Sequence, residues 1–323
     1  MTETRPTVSN GRPRGGWTLA RVGALLAATL LLSPVNPLLL IALPLAVILV
    51  AFRPGRVLST FLAGVLVWLA FVSDERSTPL WYGERAWALM VGGGFVLSTL
   101  VWPRVGLAVR SIAAVAAAFA ALGLWGLVRP GSVAELDWWM ASELRWTSHV
   151  IMGWLTDAEA DSFLGTMATT LGDMVELQIA LYPALLALAT LAALGVAWFI
   201  ALRLTGAEGA VGPLREFGFS DFLIWVLIGG LALFLLPTGE LVSRIGGNAL
   251  TFMGGLYVLR GAAILAWFIP AVAFPVWSTL LLALAALLLY PLTVGLALIL
   301  GISDTWLDLR ARFSGSERTY DSR

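Results

Sequence analysis

The sequence predicts an all-α protein, a polytopic transmembrane helical bundle with 8–9 apolar segments and amphipathic interfacial helices in the loop 129–176. Three observations predict it. Charged residues make up 12% of the 323-residue chain, against roughly 25% in ordinary soluble domains. Apolar runs recur at about 18–33, 36–52, 57–73, 86–102, 106–128, 177–202, 218–237, 246–275 and 277–301. Their apolarity is continuous, without the period-2 alternation of a membrane β-barrel, so helices are the spans expected.

The tail 1–16 carries Arg5, Arg12 and Arg14, and Arg21 follows. A basic stretch before an apolar run has the shape of a signal peptide. Here the run passes Pro34 and Pro37 into further apolar sequence without a small-residue cleavage site, so it reads as a retained first membrane segment. Membrane segments then fill 17–128. Trp17, Trp81, Tyr82, Trp102 and Trp277 sit at segment ends, where aromatic belts form. Arginines in the tail, at Arg53 and Arg56, in the link Arg104–Arg110 and in the loop Arg203–Arg215 come at every second crossing. The positive-inside rule places all four in the cytoplasm, with the N-terminus. A multi-pass protein of the bacterial inner membrane is expected.

The region 129–176 lies on the opposite side. Its two arginines, Arg129 and Arg145, face eight acids, for a net charge of −6. Val133, Leu136, Met140 and Leu144 recur at helical spacing, and Phe163, Leu164, Met167 and Leu171 continue the pattern after a break. Two amphipathic helices at the outer interface are expected. Membrane segments resume over 177–302. Pro44, Pro183 and Pro291 fall inside segments and predict kinks. The last part, 303–323, reads as an interfacial helix with Ser303 as its N-cap and Asp304 and Asp308 in its early turns, followed by a polar tail.

The stretch 246–275 is thirty residues long and carries a single charge, Arg260. At 1.5 Å per residue a helix of that length is about 45 Å long, more than an untilted span needs. Either one tilted helix ends or kinks at Pro270, the reading favoured here, or the chain breaks at Arg260-Gly261 and returns as a hairpin. The hairpin would bring the C-terminal arginines Arg310, Arg312, Arg318 and Arg323 to the cytoplasmic side.

Composition narrows the chemistry. Cys and Lys are absent, and His149 is the one histidine. That excludes disulfides, thiolate nucleophiles, a P-loop lysine, Schiff-base chemistry and a multi-histidine metal site within the chain. No catalytic residue, metal ligand or cofactor site is proposed, and net charge zero gives no basic surface for nucleic acid. An intramembrane ionisable residue is a functional-site hypothesis by default. Arg260 is therefore the leading candidate for a ligand or partner contact, with Tyr257 on its helix face. Asp221, Glu240 and Glu176 are its possible counter-ions. Glu240, Arg244 and Asn248 follow at i, i+4 and i+8 and form one polar face that can point to a cavity mouth. Ala20, Ala24 and Ala28 put a small residue at every fourth position of the first segment, a helix-docking pattern.

Three stretches carry a family resemblance: Phe219 through Pro237, Leu256-Tyr-Val-Leu-Arg-Gly-Ala-Ala-Ile-Leu265, and Leu300-Gly-Ile-Ser-Asp-Thr-Trp-Leu-Asp-Leu-Arg310. Over about 215–312 the chain resembles the YybS-like predicted bacterial membrane proteins, a family of unknown function whose pattern has glutamine where Arg260 stands. That family in turn resembles the substrate-binding S components of energy-coupling-factor transporters. The resemblance implies capture of a small solute, docking of a coupling subunit through Ala20-Arg-Val-Gly-Ala24, and a separate energising ATPase. The function expected is non-catalytic binding of a small solute or a partner protein. The alternatives are a structural or assembly subunit of a larger membrane complex and an intramembrane enzyme using Glu240 or Asp221.

Overall fold

A computed structural model describes residues 39–51, 64, 79–102, 105–156, 162–205, 217–237, 239–268 and 276–309. Every regular element among them is helical: α1 (Leu39–Ala51), α2 (Pro79–Val101), α3 (Leu107–Val128), α4 (Ser132–Thr156), α5 (Ser162–Thr205), α6 (Ile224–Leu235), α7 (Glu240–Phe268), α8 (Val276–Leu288) and α9 (Tyr290–Leu307). A 3-10 turn, Asp221–Leu223, leads into α6. The protein is an all-α membrane bundle. Among the described residues, four stretches are long and apolar enough to cross a bilayer: Leu107–Val128, Thr169–Thr205, Glu240–Ala266 and Tyr290–Leu307. The helix-docking pattern Ala20, Ala24 and Ala28, and the tails 1–16 and 310–323, lie outside the described residues.

Two cores organise the bundle. One joins α1, α2, α3 and α5 around Val47, Val91, Phe95, Ala114 and Leu194. The Trp87 indole N–H donates to Thr190 Oγ1 at 3.0 Å within this core, which fixes α2 against α5. The other core joins the 3-10 turn, α6 and α7 around Phe219, Ile224, Met253, Leu256 and Tyr257. Between apolar helices in lipid there is little hydrophobic drive, so close approach over small residues carries much of the association. A Cβ on Gly261 would overlap the carbonyl of Ala297, and one on Gly301 would overlap the carbonyl of Tyr257. These paired approaches run in opposite directions along the two helices, so α9 is antiparallel to α7. Gly246 likewise fits against Phe234 and Gly230, which sets α6 antiparallel to α7.

Several elements differ from the sequence expectation. The second amphipathic helix expected in 129–176 is not a separate element: α5 runs unbroken for 44 residues from Ser162 to Thr205. One helix thus carries the amphipathic stretch and the apolar run 177–202 in succession. The run 277–301 is two helices, divided at Leu289, with Pro291 in the first turn of α9. Proline is well placed there because its missing N–H has no partner to lose. Ser303 is not an N-cap, since α9 continues through it to Leu307. Its neighbours Leu298 and Ile302 pack on the second core, which makes 303–307 the end of a packed helix and not the start of an interfacial one. The stretch at Arg260-Gly261 is continuous helix within α7, so no hairpin forms there; Pro270, where the helix was expected to end or kink, lies outside the described residues.

Gly261→Ala and Gly301→Ala, each forcing a methyl into a neighbouring backbone, are expected to destabilise the detergent-solubilised protein by about 1–3 kcal/mol. Gly254→Ala, on the same α7 but with no atom within 4 Å of the added Cβ, should be neutral or stabilising. Thermal unfolding of the three variants checks the contrast.

Candidate functional site

Arg260 is buried in α7, six residues before the end of the apolar stretch Glu240–Ala266. α5 and α7 run parallel: Gly247 faces Leu181, and Gly255 faces Leu188. Both helices rise equally per residue, so Arg260, five positions past Gly255, stands opposite about residue 193 of α5. The apolar run of α5 covers 177–202. A guanidinium at that depth needs counter-charge and acceptors.

Two helix ends supply them. The 3-10 turn before α6 begins at Asp221, and its Oδ1 accepts from Arg260 Nη1 at 2.7 Å. α9 ends at Leu307, and Asp304 Oδ2 in its last turn accepts from Arg260 Nε at 2.9 Å. Beneath the guanidinium lies the ring of Phe219, 5.4 Å from centroid to Cζ, within cation–π range. Phe219 meets Tyr257 edge to face at 5.2 Å. A continuous helix thus carries the cation, while the start of one neighbour and the end of another carry the carboxylates. The carbonyl end of α9 adds the negative pole of its dipole.

Asp304 has a second task. Its Oδ1 accepts the Leu309 N–H at 3.0 Å, and its carbonyl accepts the Asp308 N–H at 3.1 Å. Asp308 takes the left-handed conformation at φ 44°, one that aspartate tolerates better than most side chains. The same carboxylate therefore closes the helix and holds Arg260. Burial divides the trio. Arg260 and Asp304 are 8% and 2% exposed at their side chains, whereas Asp221 is 61% exposed. The Tyr257 ring is fully buried, and its hydroxyl has no hydrogen-bond partner among the described residues.

Of the expected counter-ions, Asp221 is in place. Glu240 lies twenty residues away at the opposite end of α7, exposed. Glu176 pairs with Arg145, at 2.7 and 2.9 Å. Asp304 was missed because Ser303-Asp304 imitates the start of a helix. The signal that marks it is Ala297, Gly301 and Asp304, which recur at helical spacing and form a small-small-acid stripe continuous with α9.

The polar face of α7 is a second site, at its Glu240 end. Arg244 and Asn248 are brought together there and Glu240 stands apart from their hydrogen bonds. Their partner is the proline of α5. Pro183 has no N–H, so the carbonyl of Ile179 has no helical donor. Arg244 Nη2 donates to that carbonyl at 3.2 Å, and Arg244 Nε to the carbonyl of Ala180 at 3.2 Å. Asn248 Nδ2 donates to the Ala180 carbonyl at 2.8 Å, while its Oδ1 accepts the Ala184 N–H at 2.9 Å. Two side chains of α7 replace the backbone bonds that Pro183 disturbs in α5. The other side of the guanidinium meets Asp137 of α4 in a two-pronged pair, at 2.8 and 2.5 Å. Asp137 is one acid among eight in its region, and sequence spacing does not single it out.

Arg110 also has a role beyond biasing orientation. It is 4% exposed in the first turn of α3. Its guanidinium donates to Thr99 Oγ1 (3.3 Å) and to the carbonyls of Trp102 (3.2 Å) and Val105 (2.8 Å), closing the end of α2. It also lies 5.4 Å over Trp198 of α5.

No group of three or more His, Asp or Glu side chains able to hold a metal occurs among the described residues. The chain belongs to the family described as predicted membrane protein (DUF2232), which matches residues 22–305. No curated protein and no solved structure matches the chain.

Asn248→Leu takes the partner of the Ala184 N–H and one of the two donors to the Ala180 carbonyl, and is expected to destabilise by about 1–3 kcal/mol. Pro183→Ala restores a donor to the helix, so the double variant should recover much of that loss in a thermal-unfolding cycle. Arg260→Ala leaves Asp304 buried without its cation, for an expected loss of about 3–5 kcal/mol. Asp221→Asn should destabilise less than Asp304→Asn, because the Asp221 side chain keeps access to its surroundings.

Proposed function

We propose that this membrane protein is a non-catalytic binding subunit that takes a small solute or a partner protein at the Arg260 level of the bundle. One observation carries the reading: two helix ends meet a continuous helix, and charged side chains from all three converge there. In membrane transporters, discontinuous helices meeting near the midplane are a recurrent way to place polar ligand groups in apolar surroundings. Arg260 and Asp304 form the buried part of the site, and Asp221 is its accessible arm. Tyr257, with its unpaired hydroxyl one turn from Arg260, belongs to the same region. Arg244, Asn248 and Glu240 lie outside the contact itself, at the far end of α7.

The reading is S-component-like, in keeping with the resemblance of the segment 215–312. A chain without lysine has no P-loop, so transport would take its energy from a separate ATPase. The bacterial inner membrane, with the N-terminus cytoplasmic, is the location this reading implies.

A second reading, a structural or assembly subunit of a larger membrane complex, draws on a different observation. Asp221 is flanked by Phe222 and Trp225, which are 74% and 62% exposed. A carboxylate on an open apolar surface at this depth suits coverage by another chain.

The full-length protein, purified from native membranes into lipid nanodiscs, distinguishes the two. Under the solute reading, one member of a panel of small cationic, anionic and neutral solutes raises the unfolding temperature. Asp221→Asn should then diminish that shift without preventing folding. A protein that responds to no solute and copurifies in fixed stoichiometry with another membrane chain supports the subunit reading and overturns the first.

A further inference from the structure

We infer that α4, the amphipathic helix Ser132–Thr156, is a strap that controls the break that Pro183 makes in the backbone hydrogen bonding of the otherwise continuous helix α5. The Arg244 guanidinium is the connecting piece. It holds the freed carbonyls of Ile179 and Ala180 through Nη2 and Nε, and it holds Asp137 of α4 through Nη1 and Nη2. A guanidinium is a flat fork with fixed donor directions. The carboxylate on one side therefore sets how the donors meet the carbonyls on the other. Removing Asp137 takes away both the counter-charge and the alignment.

A second ion pair anchors the strap elsewhere. Arg145, two turns further along α4, makes a two-pronged pair with Glu176 of α5, seven residues before Pro183. This pair contacts neither the break nor Arg244. Among the described side chains of α4, Val133 meets Gly126, Leu136 meets Gly83 and Ala141 is buried, whereas Trp138 and Trp146 are 61% and 65% exposed. An element held by part-exposed ion pairs, with exposed tryptophans beside them, belongs to the low-stability part of a fold. Below the strap, α5 has traded its own backbone bonds for side chains of α7, so its two halves are joined less firmly at Pro183 than in a plain helix. Release of α4 therefore frees the break, and docking of α4 locks it. The device is independent of what the Arg260 site binds.

Hydrogen exchange of the full-length protein in nanodiscs tests the coupling. Arg145→Gln, which touches neither Asp137 nor Pro183, is expected to raise exchange in peptides spanning 179–186 by about tenfold, with α2 and α3 unchanged. Asp137→Asn should do the same. The chain has no cysteine, so a single pair can be introduced cleanly. At Gly126 and Val133 the Cβ positions lie 3.9 Å apart, within disulfide range. The oxidised Gly126→Cys, Val133→Cys pair should suppress the effect of Arg145→Gln, and reduction should restore it. Unchanged exchange at 179–186 in Arg145→Gln would overturn the inference. So would a uniform rise across all helices, which marks general destabilisation. Glu176→Gln provides the same test from the opposite side of the pair.

Discussion

A cation buried between apolar helices is the constraint from which the C-terminal half follows. Insertion scales place the penalty for arginine at mid-helix at about 2.5–3.5 kcal/mol, and that penalty falls only if the charge is met. Meeting it takes two carboxylates at one level, from helices that must then begin or end there. Asp221 stands in the turn that opens α6, and Asp304 in the turn that closes α9. The backbone has to approach closely for such short side chains to reach. Gly261 and Gly301 permit that approach on the α9 side, and Gly230 and Gly246 permit it on the α6 side. The glycines and the charges are parts of one solution: without the close contact, aspartate is too short to reach Arg260. A buried pair of this kind is weak evidence for added stability, because desolvation offsets much of the attraction. Its persistence is better explained by what it positions.

The N-terminal half solves a different problem, that of unsatisfied backbone. Pro183 in α5 removes one donor, and the end of α2 leaves carbonyls open. Each is met by an arginine reaching from another helix: Arg244 with Asn248 at Pro183, and Arg110 at the end of α2. Three of the described arginines thus act inside the bundle with acceptors chosen by geometry. Arginine suits such work because it keeps its charge when buried and offers five donors in a rigid arrangement.

The sequence made the fold class legible, and physics explains why. Continuous apolar runs with few charges have one stable answer in lipid, so helices and their approximate limits can be read directly. Arg260 was also legible, since a lone charge in thirty apolar residues stands out. Its partner Asp221 was legible as an acid at a span's edge. Asp304 was not. An N-cap signature, Ser303 followed by aspartates, is local, whereas the fate of Asp304 is decided by α7, more than forty residues away. Asp137 was hidden for a related reason: its region holds eight acids, and only the fold selects the one opposite Arg244. The extension of α5 through Ser162–Thr205 was hidden because amphipathic and fully apolar stretches were assigned to separate elements, although one helix can carry both patterns in succession. The polar spacing of Arg244 and Asn248 was visible. Its object, the carbonyls exposed by Pro183, required knowing that α5 and α7 lie side by side.

Both polar sites hang on the same helix. Asn248 and Arg260 are twelve residues apart on α7, about 18 Å along its axis, with no break between them. The Glu240 end of α7 grips the proline break of α5 and, through Asp137, the outer helix α4. The Arg260 end grips the ends of α6 and α9. Because α7 is continuous, a shift or rotation at one end is transmitted to the other unless the helix itself bends. Gly254 and Gly255 lie between the two sites; Gly255 is filled by Leu188 of α5 and Gly254 has open space around its Cβ position. If α7 flexes between its two sets of partners, Gly254 is the position with room for it. A rigid α7 would make the outer strap and the Arg260 triad parts of one mechanical unit, and a flexible one would let them act apart. How far the two sites are coupled therefore depends on the stiffness of α7 between Asn248 and Arg260.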